Sequence, residues 1–419
     1  MTSSETVQDK QIHWPSVFQF GLAGLASAGL LTIAGSMFFA GLLQFIDPSS
    51  AGPAAAATTM MVAAGMATGG LLALPVAAYG LARVLGSNLP LPNKLPSWWR
   101  WVILVSLVVF VFVVLIGFLV SSVEAVAWLA LPPLHVLGMS LPVLWLVWIG
   151  TRKLIGGSAQ RSWGVFGAGL VMGPFFILIL ELALMVLLFL MAFFVLIFVA
   201  AANPEIVTTL DRLAIQLQTL PSDSRRAQVL LGPYILRPEL LLGSLFFIAV
   251  CVPLIEEALK PIGVWLLAGR KLTPRDGLAL GMLSGAGYAL FENLLQGAMP
   301  EAWPTLAIVR IGTSVMHIFT AGLTGWGLAL AWRERSYLKL GLAYFLASLI
   351  HGLWNANAII FSFTMLSLEI DGPLDLPIFW VAAAPATLIV LALGTLGGLL
   401  FANRRLREPE VEVEVEPAA

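Results

Sequence analysis

Charged side chains are scarce in this sequence. Asp, Glu, Lys and Arg make up 11% of 419 residues, against roughly 25% in a soluble domain. A chain this poor in charge cannot clothe a water-facing surface. Cysteine is nearly absent too. The single Cys251 excludes an intrachain disulfide and any cysteine-rich metal site. There is no excess of positive charge (net −1), so nucleic acid is not an expected partner. The polar leader 1–15 lacks the basic n-region and small-residue cleavage site of a signal peptide. The first apolar run is also too long for a signal sequence, so a retained first span is expected. No tandem repeat is present.

What the chain has in quantity is apolar length: 59% of its residues are hydrophobic. A membrane span needs about 20 mainly apolar residues. That rule gives ten spans, near 17–45, 55–82, 101–121, 124–149, 164–201, 241–267, 277–297, 305–331, 340–364 and 376–402. The fold class expected is all-α, a polytopic transmembrane helix bundle. The fifth stretch would be roughly 55 Å long as a helix, against a hydrocarbon core of about 30 Å. It is expected to project beyond the bilayer, to tilt, or to break near Pro174.

Lys and Arg placement sets the orientation. With the N-terminus in the cytoplasm, 16 of the 22 basic residues fall on the cytoplasmic side. Outside lie only Arg212, Arg225, Arg226 and Arg237, all in one long loop, and Lys260 and Arg310 lie within spans. Both termini are therefore expected inside. Tryptophans such as Trp98, Trp99, Trp145, Trp148 and Trp332 sit near segment ends, as interfacial anchors do.

Four regions follow: an N-terminal membrane region of about five spans (1–202), a loop (203–239), a membrane core of five spans (240–402) and an acidic tail (403–419). In the loop, Ile206, Leu210, Leu213, Leu217 and Leu220 form one stripe of an amphipathic helix. It would lie on the outer membrane face or cap the bundle, or act as a lid. The tail alternates Glu with Val and Pro, and its charge density favours a disordered cytoplasmic segment.

The scarce charges are not scattered. Glu256, Glu257 and Lys260 fall within five residues of the sixth span, between Pro253 and Pro261. Each charge inside a bilayer costs at least a few kcal/mol. Glu256 and Lys260 are four residues apart and share a helix face. The prolines remove two backbone donors and predict a bend, leaving the carbonyls of Ala249 and Glu257 short of partners. On the seventh span Tyr288 and Glu292 share a face, with Asn293 adjacent. The eighth carries Arg310 and His317, and the ninth His351 and Asn355. Both histidines lie about 12 residues from their span's start, on antiparallel helices, and so at one depth near the midplane. Glu292 has two readings: a metal ligand or orienter, or a partner that neutralises Arg310. Glu181 in the fifth span and His135 in the fourth read as structural.

Carboxylates with two histidines can hold Zn²⁺ and leave a position for water, whose proton a nearby Glu can take. The same residues could activate water without metal. A rival reading takes the charges as the proton relay of an ion-coupled transporter. It predicts pseudo-symmetry between two halves, and the crowding of the ionisable groups into the second half argues against it.

Over about 240–360 the chain resembles the PrsW family of intramembrane proteases. Glu256-Glu257-Ala258-Leu259-Lys260 matches the motif E-E-x-x-K. Tyr288 to Asn293 matches F-x-x-x-E-N, with Tyr for Phe, and His317 and His351 match histidines on the next two spans. PrsW proteins resemble the CAAX prenyl proteases, and His351-x-x-x-Asn355 matches the last CAAX motif. The earlier lysine and Glu292 in place of His favour PrsW. The resemblance implies that Glu256 activates the attacking water, with Glu257 beside it. It gives His317, His351 and Glu292 the task of holding metal or polarising water. Lys260 would steady Glu256 or the developing oxyanion, and Asn355 would orient the site. The implied partners are the lipid bilayer and a membrane-anchored protein substrate, with an anti-sigma factor as one candidate. The implied location is a prokaryotic cell membrane. A non-catalytic scaffold related to CAAX proteases is the remaining alternative, and it predicts that the histidines and Glu256 do not converge.

Overall fold

Where sequence length and hydropathy demand ten crossings, ten helices long and apolar enough to cross a membrane form among the described residues. The computed structural model describes residues 13–47, 52–87, 89, 98–154, 157–219, 224–370 and 378–407. The spans are Trp14–Ile46, Gly52–Val84, Trp99–Ser121, Glu124–Thr151, Ala159–Ala202, Pro238–Trp265, Pro274–Leu295, Pro300–Glu334, Tyr337–Glu369 and Trp380–Leu406. No strand occurs among the described residues. This is a multi-pass helical membrane protein. Helices are the expected answer in lipid, because each backbone N–H and C=O is satisfied within its own segment.

The seventh and eighth spans are the centre of the bundle. Most of their residues are buried, whereas the third and fifth spans turn mainly apolar side chains outward, as lipid-facing helices must. The main core joins Met61 of the second span, Leu131, Met139 and Val143 of the fourth, Met282 and Leu294 of the seventh, and Trp303 and Ile318 of the eighth. Small residues bring the central pair together. A Cβ at Gly285 would lie 2.6 Å from the His317 carbonyl oxygen, so glycine lets the seventh span touch the backbone that carries His317.

The fifth span stays helical over 44 residues, roughly 66 Å at 1.5 Å per residue. It does not break at Pro174. Instead the turn Ala168–Met172 widens to a π-helix just before the proline. Proline lacks an N–H and crowds the carbonyl four residues earlier, and a wide turn relieves both faults.

The sixth span does the same, more strongly. A seven-residue π-helix, Leu245–Cys251, precedes Pro253, and the α-helix resumes at Val252–Leu259. It stops again at Lys260–Pro261 before the short helix Ile262–Trp265. The expected bend is thus two departures from α-geometry, one on each side of Glu256 and Glu257. Side chains of neighbouring spans, and one of the sixth span itself, supply the missing donors. In the wide turn the Ile248 carbonyl would look to residue 253, a proline; the Asn355 amide donates to it at 2.8 Å. The Tyr344 hydroxyl donates to the Leu254 carbonyl (2.6 Å), and Trp265 Nε1 to the Ala258 carbonyl (2.8 Å). The Ser284 hydroxyl bridges the second break, donating to the Lys260 carbonyl (2.6 Å) and accepting from Gly263 N–H (3.3 Å).

An expected result follows for the first of these bonds. Asn355→Leu strands a carbonyl in hydrocarbon, which costs about 1–3 kcal/mol. Thermal unfolding in detergent should fall accordingly, and hydrogen exchange should rise over 245–252. An unchanged exchange pattern there would show that the amide does not hold the wide turn.

The loop forms two helices, Pro204–Thr219 and Ser224–Ile235. Leu210 and Leu217 of its stripe are exposed rather than packed on the bundle; Leu220 lies outside the described residues. Of the tail, 403–406 completes the tenth helix, and 408–419 lies outside the described residues.

Candidate metal centre and active site

The reactive groups come from four consecutive spans. The resumed helix of the sixth presents Glu256 and Glu257 one turn before the break that carries Lys260. Glu257 and Lys260 have no solvent exposure at all, and Glu256, His317 and His351 are buried. Lys260 Nζ sits at the middle. It lies 2.7 Å from Glu257 Oε1, 2.6 Å from His317 Nδ1, 3.2 Å from His351 Nδ1 and 2.8 Å from Glu256 Oε2. Four acceptor atoms thus surround an ammonium with three protons. Glu256 Oε2 is the one left without hydrogen-bond geometry, and Glu257 Oε2 has no partner either. The ammonium also lies 5.0 Å from the centre of the Tyr288 ring, a cation–π contact from the seventh span.

His317 is held from both sides. Its Nδ1 faces the ammonium, and a nitrogen in that position accepts. The ring proton then belongs on Nε2, which lies 2.8 Å from Glu292 Oε2. The other oxygen of Glu292 accepts from Arg310 Nη1 at 2.6 Å. Glu292 thus neutralises Arg310 through one oxygen and faces His317 with the other, a 2.8 Å contact that lacks hydrogen-bond geometry. Arg310 also donates to the Gln296 side chain and, at 3.4 Å, to Asn293 Oδ1. Asn293 in turn donates to Ser314 Oγ at 2.8 Å. His351 Nδ1 lies 3.0 Å from Glu257 Oε1. The two imidazoles stand edge to face, 5.3 Å apart at their centres.

Three of these residues could share an ion. Glu256, His317 and His351 each offer one ligand atom, and the three atoms lie within 4.8 Å of one another. Zinc with ligands at about 2.0–2.2 Å needs tetrahedral donors about 3.4 Å apart, so these atoms would draw together by up to about 1.4 Å to hold it. The donor types fit: two imidazole nitrogens turned inward, one carboxylate oxygen without a hydrogen bond, and a carboxylate behind one histidine, as metal-ligating histidines commonly have. Lys260 Nζ already occupies the space these donors face, so an ion and the ammonium compete for the same lone pairs. Glu292 stands one step outside this group, with His317 between. Asn355 turns to the Ile248 carbonyl and has no hydrogen bond to the cluster.

Outside the cluster, His135 is a packing residue. Its Nε2 lies 3.1 Å from the Leu294 carbonyl oxygen, and its Nδ1 accepts from Trp303 Nε1 at 3.3 Å. Glu181 Oε1 is buried with no hydrogen-bond partner. Sequence reasoning missed Ser284, because a serine in a glycine-rich helix carries no signal until the broken helix beside it is seen. It also missed that Lys260 would be central. Its spacing from Glu256 predicted one ion pair, not contacts with two histidines on other spans.

Bundle and cluster together define a membrane protein that carries a hydrolase-type set of acid, imidazole and ammonium groups inside its core. Residues 181–389, about half of the chain, match the family model of the PrsW family intramembrane metalloproteases. Through this segment the chain belongs to that family, and it is a protease by that membership. The match begins at Glu181, upstream of the motif-bearing stretch, and so includes the second half of the fifth span. No curated protein and no solved structure matches the chain. A metalloprotease family implies a metal, and the buried Glu–His–His group is compatible with one.

Proposed function

We propose that the chain is a zinc-dependent intramembrane protease of a prokaryotic plasma membrane, with both termini in the cytoplasm. It hydrolyses a peptide bond of a membrane-anchored protein, of the anti-sigma-factor kind that the PrsW resemblance implies. The observation that carries the reading is the convergence of Glu256, His317 and His351 inside the bundle. A scaffold without activity gives no reason for three such groups from three spans to meet in hydrocarbon.

His317 and His351 are the proposed metal holders, with Glu256 facing the same space as the base. A zinc ion bound there would acidify water and polarise the scissile carbonyl. The Glu256–Glu257 pair takes the water's proton, and Glu256 Oε2 is the oxygen left without a hydrogen bond to do so. Glu257 holds the Lys260 ammonium, which offsets one of the two negative charges and faces the site where negative charge develops on the carbonyl oxygen. Glu292 places negative charge behind His317 Nε2. Asn355 is a positioning residue: it supports the wide turn that sets Glu256 and Glu257. Burial of Glu256, Glu257, Lys260, His317 and His351 keeps bulk water out, which strengthens each electrostatic contact.

The test is cleavage of co-expressed single-span reporter proteins by wild type and by His351→Ala, with metal content measured on both purified proteins. The expected result is loss of both cleavage and bound zinc in the variant. Equal cleavage would overturn the assignment of His351. Full cleavage by a metal-free wild type would instead favour water activation by Glu256 alone.

A further inference from the structure

A cavity of about 860 Å³ is lined by none of the catalytic cluster's residues. Three chain segments that begin or end spans meet around it: His13–Trp14 at the start of the first, Ser158–Arg161 at the start of the fifth, and Arg270–Leu272 after the sixth. Span ends lie at the level of lipid headgroups. One part of the wall is apolar, with Phe18, Leu22, Met172 and Leu266. The other carries Arg161, Arg270 and Lys271, and no Asp or Glu lines the cavity. Arg161 already contacts Asp276 at 3.6 Å. Arg270 and Lys271 are exposed and have no ion-pair partner among the described residues.

We propose that this cavity binds one anionic phospholipid, its phosphodiester between Arg270 and Lys271 and its acyl chains along Phe18, Leu22 and Leu266. The charge pattern selects the ligand. A zwitterionic headgroup would bring a second cation against two that are already unneutralised. An anionic one neutralises them while its chains cover apolar wall that water would otherwise wet. Cationic pockets between membrane helices bind lipid headgroups on this principle, each Lys or Arg adding a similar increment. The size is that of a ligand pocket. This site does not depend on the protease reading.

The test uses the full chain purified in a neutral detergent, with native mass spectrometry and titration by phosphatidylglycerol, phosphatidylcholine and inorganic phosphate. One phosphatidylglycerol per chain should be retained, phosphatidylcholine should wash off, and phosphate at millimolar concentration should not displace the lipid. Arg270→Gln with Lys271→Gln should weaken phosphatidylglycerol about 10- to 30-fold. Leu266→Trp, which fills the apolar wall and removes no charge, should also weaken it, and it decides the matter if the double variant does not fold. Equal retention of both lipids, unchanged binding in the variants, or displacement by phosphate alone would overturn the proposal.

Discussion

Replacing Glu256 with Gln should reduce cleavage of a single-span reporter about 10²- to 10⁴-fold, the range spanned by a positioned general base. The fold should survive the change, and charge arithmetic says why. Glu256, Glu257 and Lys260 sum to −1. Removing the carboxylate whose Oε2 makes no hydrogen bond leaves Glu257 and Lys260 as a neutral pair at 2.7 Å. Gln keeps the shape of Glu, so packing around a buried side chain is little disturbed. Thermal unfolding within a few degrees of wild type, with cleavage lost, is the expected pair of results. Cleavage within tenfold of wild type would remove Glu256 from the reaction. Loss of fold together with activity would mean that Glu256 is needed to compensate Lys260.

Replacing Lys260 should do the opposite to stability. Lys260→Met retains the apolar stem and deletes the ammonium that two carboxylates and two imidazoles share. Glu256 and Glu257 are then left as like charges in a site with almost no solvent. Removing one partner of a buried ion pair costs about 3–5 kcal/mol, and here two anions lose their partner at once. The metal-stripped protein should unfold at a clearly lower temperature. Because the cost lies in the stranded carboxylates, adding Glu257→Gln to Lys260→Met should recover part of it. The two changes should therefore be strongly non-additive, as contacting residues are. Simple additivity would show that the ammonium does not hold this cluster together. The same variant separates the two cations that the donors can accept. If Lys260 competes with an ion for His317 Nδ1 and His351 Nδ1, Lys260→Met should bind zinc more tightly than wild type and be stabilised by it.

Much of the architecture is legible in the sequence. Ten helices follow from ten apolar runs, because lipid offers the backbone no hydrogen-bond partner and leaves helix as the economical solution. The stretch Pro253–Pro261 announced itself for a related reason: charges at mid-membrane are too costly to keep without a function or a partner. The depths of His317 and His351 could be read by counting residues from span ends, since helical rise is fixed at 1.5 Å. The positions flanking the two prolines were also readable as weak points in the sixth helix.

Distances between spans were not readable, because they depend on how each helix is rotated about its axis. Spacing along one helix tells which residues share a face; it does not say which neighbour that face meets. So Glu292 could be assigned to Arg310 or to the site, and only packing gives one oxygen to each. Glu256, rather than Glu292, joins the two histidines because the seventh span packs by its glycines so close to the eighth that Glu292 reaches the far side of the His317 ring. Asn355 matched a family position, yet the wide turn before Pro253 draws its amide to a carbonyl.

The sequence alone thus determined that this protein lives in a membrane, how often it crosses, and which few ionisable residues matter, because hydrocarbon penalises every exposed backbone group and every unneeded charge. The tertiary structure alone decided that Lys260 stands among all of them. Its position is set by a helix broken at the prolines, which local sequence foretells, and by a serine on the next span and two histidines brought in by close glycine packing, which no local spacing encodes.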